Sequence, residues 1–244
     1  MTKKVNIYCP TYHRFEKTKR SILSTIDSID ISNHDVHFYI VDNNSPTEMK
    51  DWLANQSCDN VTVELLSENV GKGSAVNQIH KKARESDYVI SIDSDLINKR
   101  GINWIDMLVD VMEQDKEWGL IACSQEGLNC HIVQSLSKVK KVGQYNIKYG
   151  SIGIGGGALI ISSSDFTNVG GYTNQDIFIG DDGELMAAVT HKLRKLCGVC
   201  EQSILYHPHP NEGLESEYQK WKSDKARRKI GWDKNPNTGF YERK

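Results

Sequence analysis

Two pairs of aspartates stand where a chain can put them to chemical use. Asp93-Ser94-Asp95 closes the apolar run from Tyr88 to Ile92, and Asp181-Asp182 opens a stretch with helical spacing. Side chains alternate faces along a strand, so Asp93 and Asp95 can point the same way where the strand frays. Their reference pKa values are near ~3.9, so both are ionised at neutral pH and their proximity is unfavourable without a cation. Oxygen ligands of this kind suit Mg²⁺ or Mn²⁺. An Asx-type turn that ends the strand accounts for the same residues structurally. At the second pair, Asp181 as N-cap with Glu184 three residues on makes a capping box. Asp182 is then left with no structural task beyond a favourable interaction with the helix dipole.

Three other patterns lead elsewhere. Gly71-Lys72-Gly73 hints at a P-loop, but that motif needs glycine where Leu66 stands and Ser or Thr where Gly73 stands. A dinucleotide fingerprint needs glycine at Val76. The loop still permits close backbone approach, and the helix it opens offers N–H groups to an anion. Cys197-Gly198-Val199-Cys200 has C-x-x-C spacing with His207 and His209 nearby, but there is no second such pair. The pair also follows a helical pattern instead of opening one, so the thiols read as buried fillers.

The elements that must position these residues alternate. Strand-like runs at 5–10, 36–41, 61–66 and 88–92 are separated by helical patterns at 14–29, after Ser45-Pro46-Thr47-Glu48, and through Ala75, Val76, Ile79 and Ala83. Ser45 as N-cap, Pro46 at the first helical position and Glu48 make a helix start. Such alternation specifies βαβ units and a mostly parallel sheet, in which ligands bind beyond the carboxyl ends of the strands. The four strand-ending loops carry residues 11–14, 42–44, 69–73 and 93–95, which converge on one edge. Beyond Asp95 a helix follows at 102–112, strands at 120–123, 158–161 and 199–206, and a helix at 181–196. Residues 129–149 give no clear pattern, and 215–230 reads as helical.

Composition bounds the class. The 244 residues carry 38% hydrophobic and 25% charged side chains, ordinary for a globular protein with a core. No apolar run reaches the ~18 residues that a bilayer span requires. Met1-Thr2-Lys3-Lys4 runs straight into a strand without the apolar core of a signal peptide, which implies a cytoplasmic protein. Net charge is −2, but residues 220–244 hold nine Lys and Arg against three acids, so the rest of the chain is at −8. Trp221, Trp232, Phe240 and Tyr241 are interleaved with those cations. A solvated helix, a lid over a diphosphate, a peripheral dock for anionic lipid and a contact with nucleic acid all answer to that tail.

In this order the motifs resemble a GT-A glycosyltransferase of the large nucleotide-sugar-dependent family that includes chitin and cellulose synthases. The resemblance spans residues 5–207. It implies an α/β fold with a Rossmann-like, mostly parallel central sheet flanked by helices. It divides the chain into a catalytic domain at 1–210 (nucleotide half 1–96, acceptor half 97–210) and a basic extension at 211–244. Cys9-Pro10-Thr11-Tyr12-His13-Arg14 is similar to the family's first nucleotide loop, and Asp42-Asn43 to its second, where the acid hydrogen-bonds uracil. Asn69, Gly71, Ala75 and Asn77 fit the family's next pattern, which brings in Lys72. Asp93-Ser94-Asp95 matches its Asp-x-Asp, with Mn²⁺ or Mg²⁺ bridging the diphosphate, and His207 matches a further metal ligand, with His209 as competitor. Gly156 and Gly157 fall on the stretch that flanks donor sugar and acceptor, beside Asp181. Asp182 falls on the catalytic carboxylate. The implied donor is a UDP-sugar and the implied acceptor a glycan or glycolipid, with nucleic-acid bases as the alternative.

The chemistry agrees. A metal at the diphosphate stabilises the leaving dianion, and a carboxylate on the acceptor side can take the hydroxyl proton. The series Gly-Gly-Ala, Gly170-Gly171-Tyr172 and Gly180-Asp181-Asp182 is also similar to the polypeptide N-acetylgalactosaminyltransferases, which retain anomeric configuration. Inversion with Asp182 as base is the favoured reading. A nucleotidyltransferase would place a glycine-rich basic loop after the first strand, where this chain has Pro10-Thr11-Tyr12-His13. A non-catalytic UDP-sugar binder would be expected to lack Asp182 or the Asp-x-Asp pair.

Overall fold

The computed structural model describes residues 1–127, 134–150, 154–155, 157–172 and 181–208, and the backbone of 232–234 and 241–243. Strands β1 (Lys4–Thr11), β2 (Asp35–Asp42), β3 (Val61–Leu65) and β4 (Tyr88–Ile92) are joined through helices α1 (Phe15–Asp30), α2 (Thr47–Ala54) and α3 (Lys72–His80). Helix α4 (Trp104–Gln114) leads into β5 (Trp118–Gly127), then the hairpin β6 (Lys138–Val142) and β7 (Tyr145–Tyr149). Strand β8 (Ala158–Ser162), α5 (Ser163–Val169), α6 (Asp181–Leu193) and β9 (Leu196–His207) complete the body. Backbone strands β10 (Trp232–Lys234) and β11 (Tyr241–Arg243) pair antiparallel.

Among the described residues, strands β1 to β9 form one nine-stranded sheet in the order β3-β2-β1-β4-β8-β5-β9-β7-β6. The β1–β2, β2–β3, β1–β4 and β5–β9 pairs are parallel. The β4–β8, β5–β8, β6–β7 and β7–β9 pairs are antiparallel. The sheet is therefore mixed, parallel in its first half as βαβ periodicity requires. The chain turns back at β1, which has β2 on one side and β4 on the other. That reversal opens a crevice at the carboxyl ends of β1 and β4.

Both faces of the sheet are covered, which explains why its strands read as continuous apolar runs. Val5, Ile7 and Cys9 of β1 face one core with Ile22 of α1, Leu53 of α2 and Leu108 of α4. Tyr8 faces the other core with Val76 of α3, Phe166 of α5 and Leu185 of α6. Cys200 lies in the first core and Cys197 packs against the second. The C-x-x-C pair is thus split across the sheet and cannot share an ion.

Three local expectations change. Helix α2 begins at Thr47 with Pro46 as N-cap, not at Ser45. The Ser45 hydroxyl donates instead to Asp42 Oδ1 at 2.5 Å, and the Pro46 carbonyl receives the first helical N–H groups. Within the unassigned 129–149 stretch, residues 138–149 form the β6–β7 hairpin, whose exposed lysines suit the edge of a sheet. Helix α6 stops at Leu193, because Arg194 takes the left-handed conformation at φ 57° and Leu196 enters β9. The basic segment from 215 to 230 and His209 lie outside the described residues.

Candidate active site

The loops after β1 and β2 are tied by one carboxylate. Asp42 is fully buried; Oδ1 accepts from Thr11 Oγ1 at 2.9 Å and from the Ser45 hydroxyl, and Oδ2 from the Ser45 N–H at 2.8 Å. Ser45 Oγ in turn receives the N–H of His13 at 3.0 Å. Asn43 Oδ1 accepts the Val70 N–H at 3.2 Å, which joins the third loop to the second. His13 and Arg14 both sit at positive φ, 54° and 56°. Two consecutive non-glycine residues in this region are strained, and strain of this kind persists only where surroundings impose it. Its result is that Arg14 turns across the β1–β4 crevice.

There Arg14 NH1 donates to Asp95 Oδ2 at 2.5 Å, with NH2 at 3.4 Å from Ser94 Oγ. The same Asp95 oxygen lies 3.2 Å from His207 Nε2. His207 is the last residue of β9, and it reaches Asp95 because Ile97 and Tyr206 exchange backbone hydrogen bonds of 2.9 and 2.8 Å. Burial works against the Asp95 charge, yet Arg14 and His207 hold its carboxyl well below the usual range. Burial likewise opposes the imidazolium of His207, but Asp95 raises its pKa. On the far side of the His207 ring, Nδ1 lies 3.1 Å from Gln125 Oε1.

Asp93 faces a different cation. Lys72, the first residue of α3 after Gly71 at φ 84°, places Nζ 2.8 Å from Asp93 Oδ1. The same ammonium lies 2.9 and 3.1 Å from the two oxygens of Asp182. Burial works against the Lys72 charge, yet Asp182 and Asp93 more than offset it and raise its pKa well above the ordinary value. Asp182 itself is pushed up to about 7, by burial first and then, against Lys72, by Asp181 and Asp93. Tyr172 donates its hydroxyl to Asp182 Oδ1 at 3.3 Å. The Tyr172 backbone is gripped by Asn77, whose Nδ2 donates to its carbonyl at 2.7 Å and whose Oδ1 accepts its N–H at 3.0 Å. Asp181 is 5% exposed; one oxygen accepts the Asp182 N–H, and Oδ2 has no hydrogen bond among the described residues.

Arg14, Lys72, Asp93, Ser94, Asp95, Asp182 and His207 thus form one connected group at the carboxyl edge of the sheet. Thr11, Asp42, Asn43 and Asn69 brace its loops, Asn69 by accepting the Gly71 N–H at 3.0 Å. Pro10 is buried in β1, and Tyr12 stacks edge-on against His13 with ring centres 4.4 Å apart. Gly157 accepts the Asp93 N–H through its carbonyl at 2.6 Å. Gly156 lies outside the described residues. Sequence reasoning passed over Gln125 and quoted Tyr172 only within the series Gly170-Gly171-Tyr172, with no role of its own. Tyr172 follows a Gly-Gly pair, but nothing local to Gln125 marks it.

The donor set fits a hard divalent cation. Asp95 and His207 meet at one point and present an oxygen and a nitrogen, ligand types that suit Mn²⁺. The second ring nitrogen of His207 faces an acceptor, the usual support of a metal-bound imidazole. Among the described residues no three His, Cys, Asp or Glu side chains are already gathered around one point. Asp93 is turned to Lys72 instead. Two protein ligands leave the remaining positions for Asp93 or for oxygens of a ligand.

A mixed α/β sheet with acids at the carboxyl edge of its parallel half is the GT-A architecture. Residues 7–165 match the family Glycosyl transferase family 2, and the chain belongs to that family. No curated protein matches the sequence. Among solved structures, the mannosyltransferase PcManGT from Pyrobaculum calidifontis, in complex with GDP-Man and Mn²⁺, aligns over 93% of this chain with a TM-score of 0.69 at 14% identity. GalNAc-T7 with UDP, GalNAc and Mn²⁺ aligns over 88% with a TM-score of 0.63 at 12% identity. At these identities the likeness is one of fold. The chain spans 62% and 46% of those two proteins. No helix among the described residues is long and apolar enough to cross a membrane.

Proposed function

We propose that this chain transfers a sugar from a nucleotide-sugar, a UDP-sugar by the sequence reading, to an acceptor hydroxyl with Mn²⁺ or Mg²⁺ bound. The observation that carries the reading is the pair of neighbouring acid sites, Asp95 with His207 and Asp182 with Lys72, joined through Asp93. Asp95 and His207 would hold the ion, with Asp93 as the further ligand of the sequence reading, and a bound ion would supply positive charge at the diphosphate. Asp182 takes the proton of the acceptor hydroxyl. The hydroxyl oxygen forms its bond to the anomeric carbon as the bond from that carbon to the diphosphate oxygen breaks, and the electron pair leaves with the diphosphate. Attack from the face opposite the leaving group inverts the anomeric centre. A carboxyl with pKa about 7 is matched to such proton transfer near neutral pH. Lys72 touches both Asp93 and Asp182 and so sets one positive charge between the two acid sites.

Within this reading the chain stands nearest the chitin- and cellulose-synthase-like branch. Residues 1–96 serve the nucleotide, 97–210 the acceptor, and 211–244 form a basic extension. The acceptor is a glycan or glycolipid and the location cytoplasmic, with peripheral membrane contact through that extension.

Calorimetric titration of UDP, CDP and GDP, each with and without Mn²⁺, tests the donor class. UDP binding that requires the metal and is lost in Asp95→Ala supports the reading. GDP preference would move the donor to the class bound by the mannosyltransferase neighbour. The absence of any nucleotide binding would return the acids to a strand-ending turn and favour a scaffold.

A further inference from the structure

Gln125 occupies a place that a polar side chain takes for a reason. It lies near the end of β5, 6% exposed, in a strand whose preceding residues Leu120 to Cys123 are core. We propose that Gln125 is a positioning residue of the metal site: its Oε1 accepts the Nδ1 proton of His207 and so leaves the Nε2 lone pair for the ion beside Asp95. This inference rests on the metal-binding reading given above. An imidazole binds a metal only through a nitrogen without a proton, so whichever group faces the other nitrogen decides whether the ring can be a ligand. The 3.1 Å approach of Oε1 to Nδ1 places an acceptor there.

Two further features hold the amide in this pose. A Cβ at Gly157 would overlap Gln125 Nε2 and come within 2.9 Å of Leu96 Cδ1, so glycine at 157 makes the space for the amide. A Cβ at Gly127, at φ 88°, would overlap the His207 carbonyl, so glycine also lets the end of β5 lie against the His207 backbone. The pairing of Gly127 with His207 puts Gln125 two residues back on the neighbouring strand, on the same face as Gly127. A neutral amide suits the position, because it sets the tautomer without a further negative charge beside Asp93 and Asp95.

The test compares Gln125→Leu, which removes the acceptor, with Gln125→Glu, which keeps one. Free Mn²⁺ is followed by electron paramagnetic resonance during titration of each protein with UDP present. Melting temperature reports folding, and Gln125→Met replaces the leucine variant if that one does not fold. A Mn²⁺ Kd raised about 10- to 100-fold in Gln125→Leu, with near wild-type affinity in Gln125→Glu, supports the assignment. A folded Gln125→Leu or Gln125→Met that binds Mn²⁺ within about twofold of wild type overturns the assignment alone. So does a folded Gln125→Glu that binds as weakly as the leucine variant. If the wild-type protein itself fails to bind Mn²⁺, the metal reading falls and the assignment falls with it.

Discussion

Replacing Lys72 with methionine removes the cation between Asp93 and Asp182 and keeps an unbranched stem of similar reach. In the wild-type protein the ammonium lies 2.9 and 3.1 Å from the Asp182 oxygens, and Asp182 stands at about 7 with Lys72 pulling it down. An opposite charge at this range lowers a carboxyl pKa by about 1–3 units, so its loss should carry Asp182 to roughly 8–10. Only the ionised carboxylate can accept the hydroxyl proton. The wild-type rate is therefore lost as pH falls through about 7, and the variant rate is lost already as pH falls through about 8–10. At about pH 7.5 the ionised fraction drops from roughly three quarters to between a quarter and well under a hundredth, a loss of about 3- to 200-fold. The assay is kcat/KM for sugar transfer from about pH 6 to about pH 10, with Mn²⁺ saturating so that the metal acts equally on both proteins. A loss that recovers at alkaline pH is the expected result. An acid limb at the wild-type pH, or at a lower one, would refute the coupling of Lys72 to Asp182.

Asp182→Asn should keep metal-dependent UDP binding and lose transfer by about 10²- to 10⁴-fold, read as kcat beside a calorimetric Kd. Transfer at the wild-type rate would remove Asp182 as the base. The same variant tests the energetic side. A carboxyl whose folded pKa lies above its unfolded value near ~3.9 weakens the fold progressively as pH rises from about 4 through about 7. The melting temperature of Asp182→Asn relative to wild type should therefore be higher at about pH 8 than at about pH 5, and a constant difference would count against a raised pKa. Gly170 and Gly171 form a matched pair, at φ 90° and 67°. A Cβ at Gly170 meets nothing within 4 Å, whereas one at Gly171 would overlap Asn77 Oδ1. Gly171→Ala should thus cost about 1–3 kcal/mol more than Gly170→Ala in chemical denaturation. Equal costs would show that Asn77 yields without loss.

The first half of the sheet was legible because each βαβ unit announces itself locally. Apolar runs such as Tyr88 to Ile92 end in polar loops, and helices such as α3 carry their buried residues at regular spacing. Ser45 shows the limit of such reading. Its capping pattern is real in the sequence, but Asp42 lies one hydrogen bond away and takes the hydroxyl. The acceptor half was less legible because its strands pair with distant partners. Strand β8 enters between β4 and β5, antiparallel to both, which no local period reveals.

Residue types and their order settled that acids stand after β4 and at the start of α6, since charge and strand-end position are local properties. The family's pattern was carried by the same local features. Only tertiary structure decided which cation meets which acid: Arg14 crosses to Asp95 through a strained turn, while Lys72 bridges Asp93 and Asp182. It alone brought Gln125 against His207, 82 residues apart in the chain. The physical reason is that hydrogen bonds and ion pairs act over about 3 Å in space, and sequence separation says nothing about that distance until the sheet has set its register.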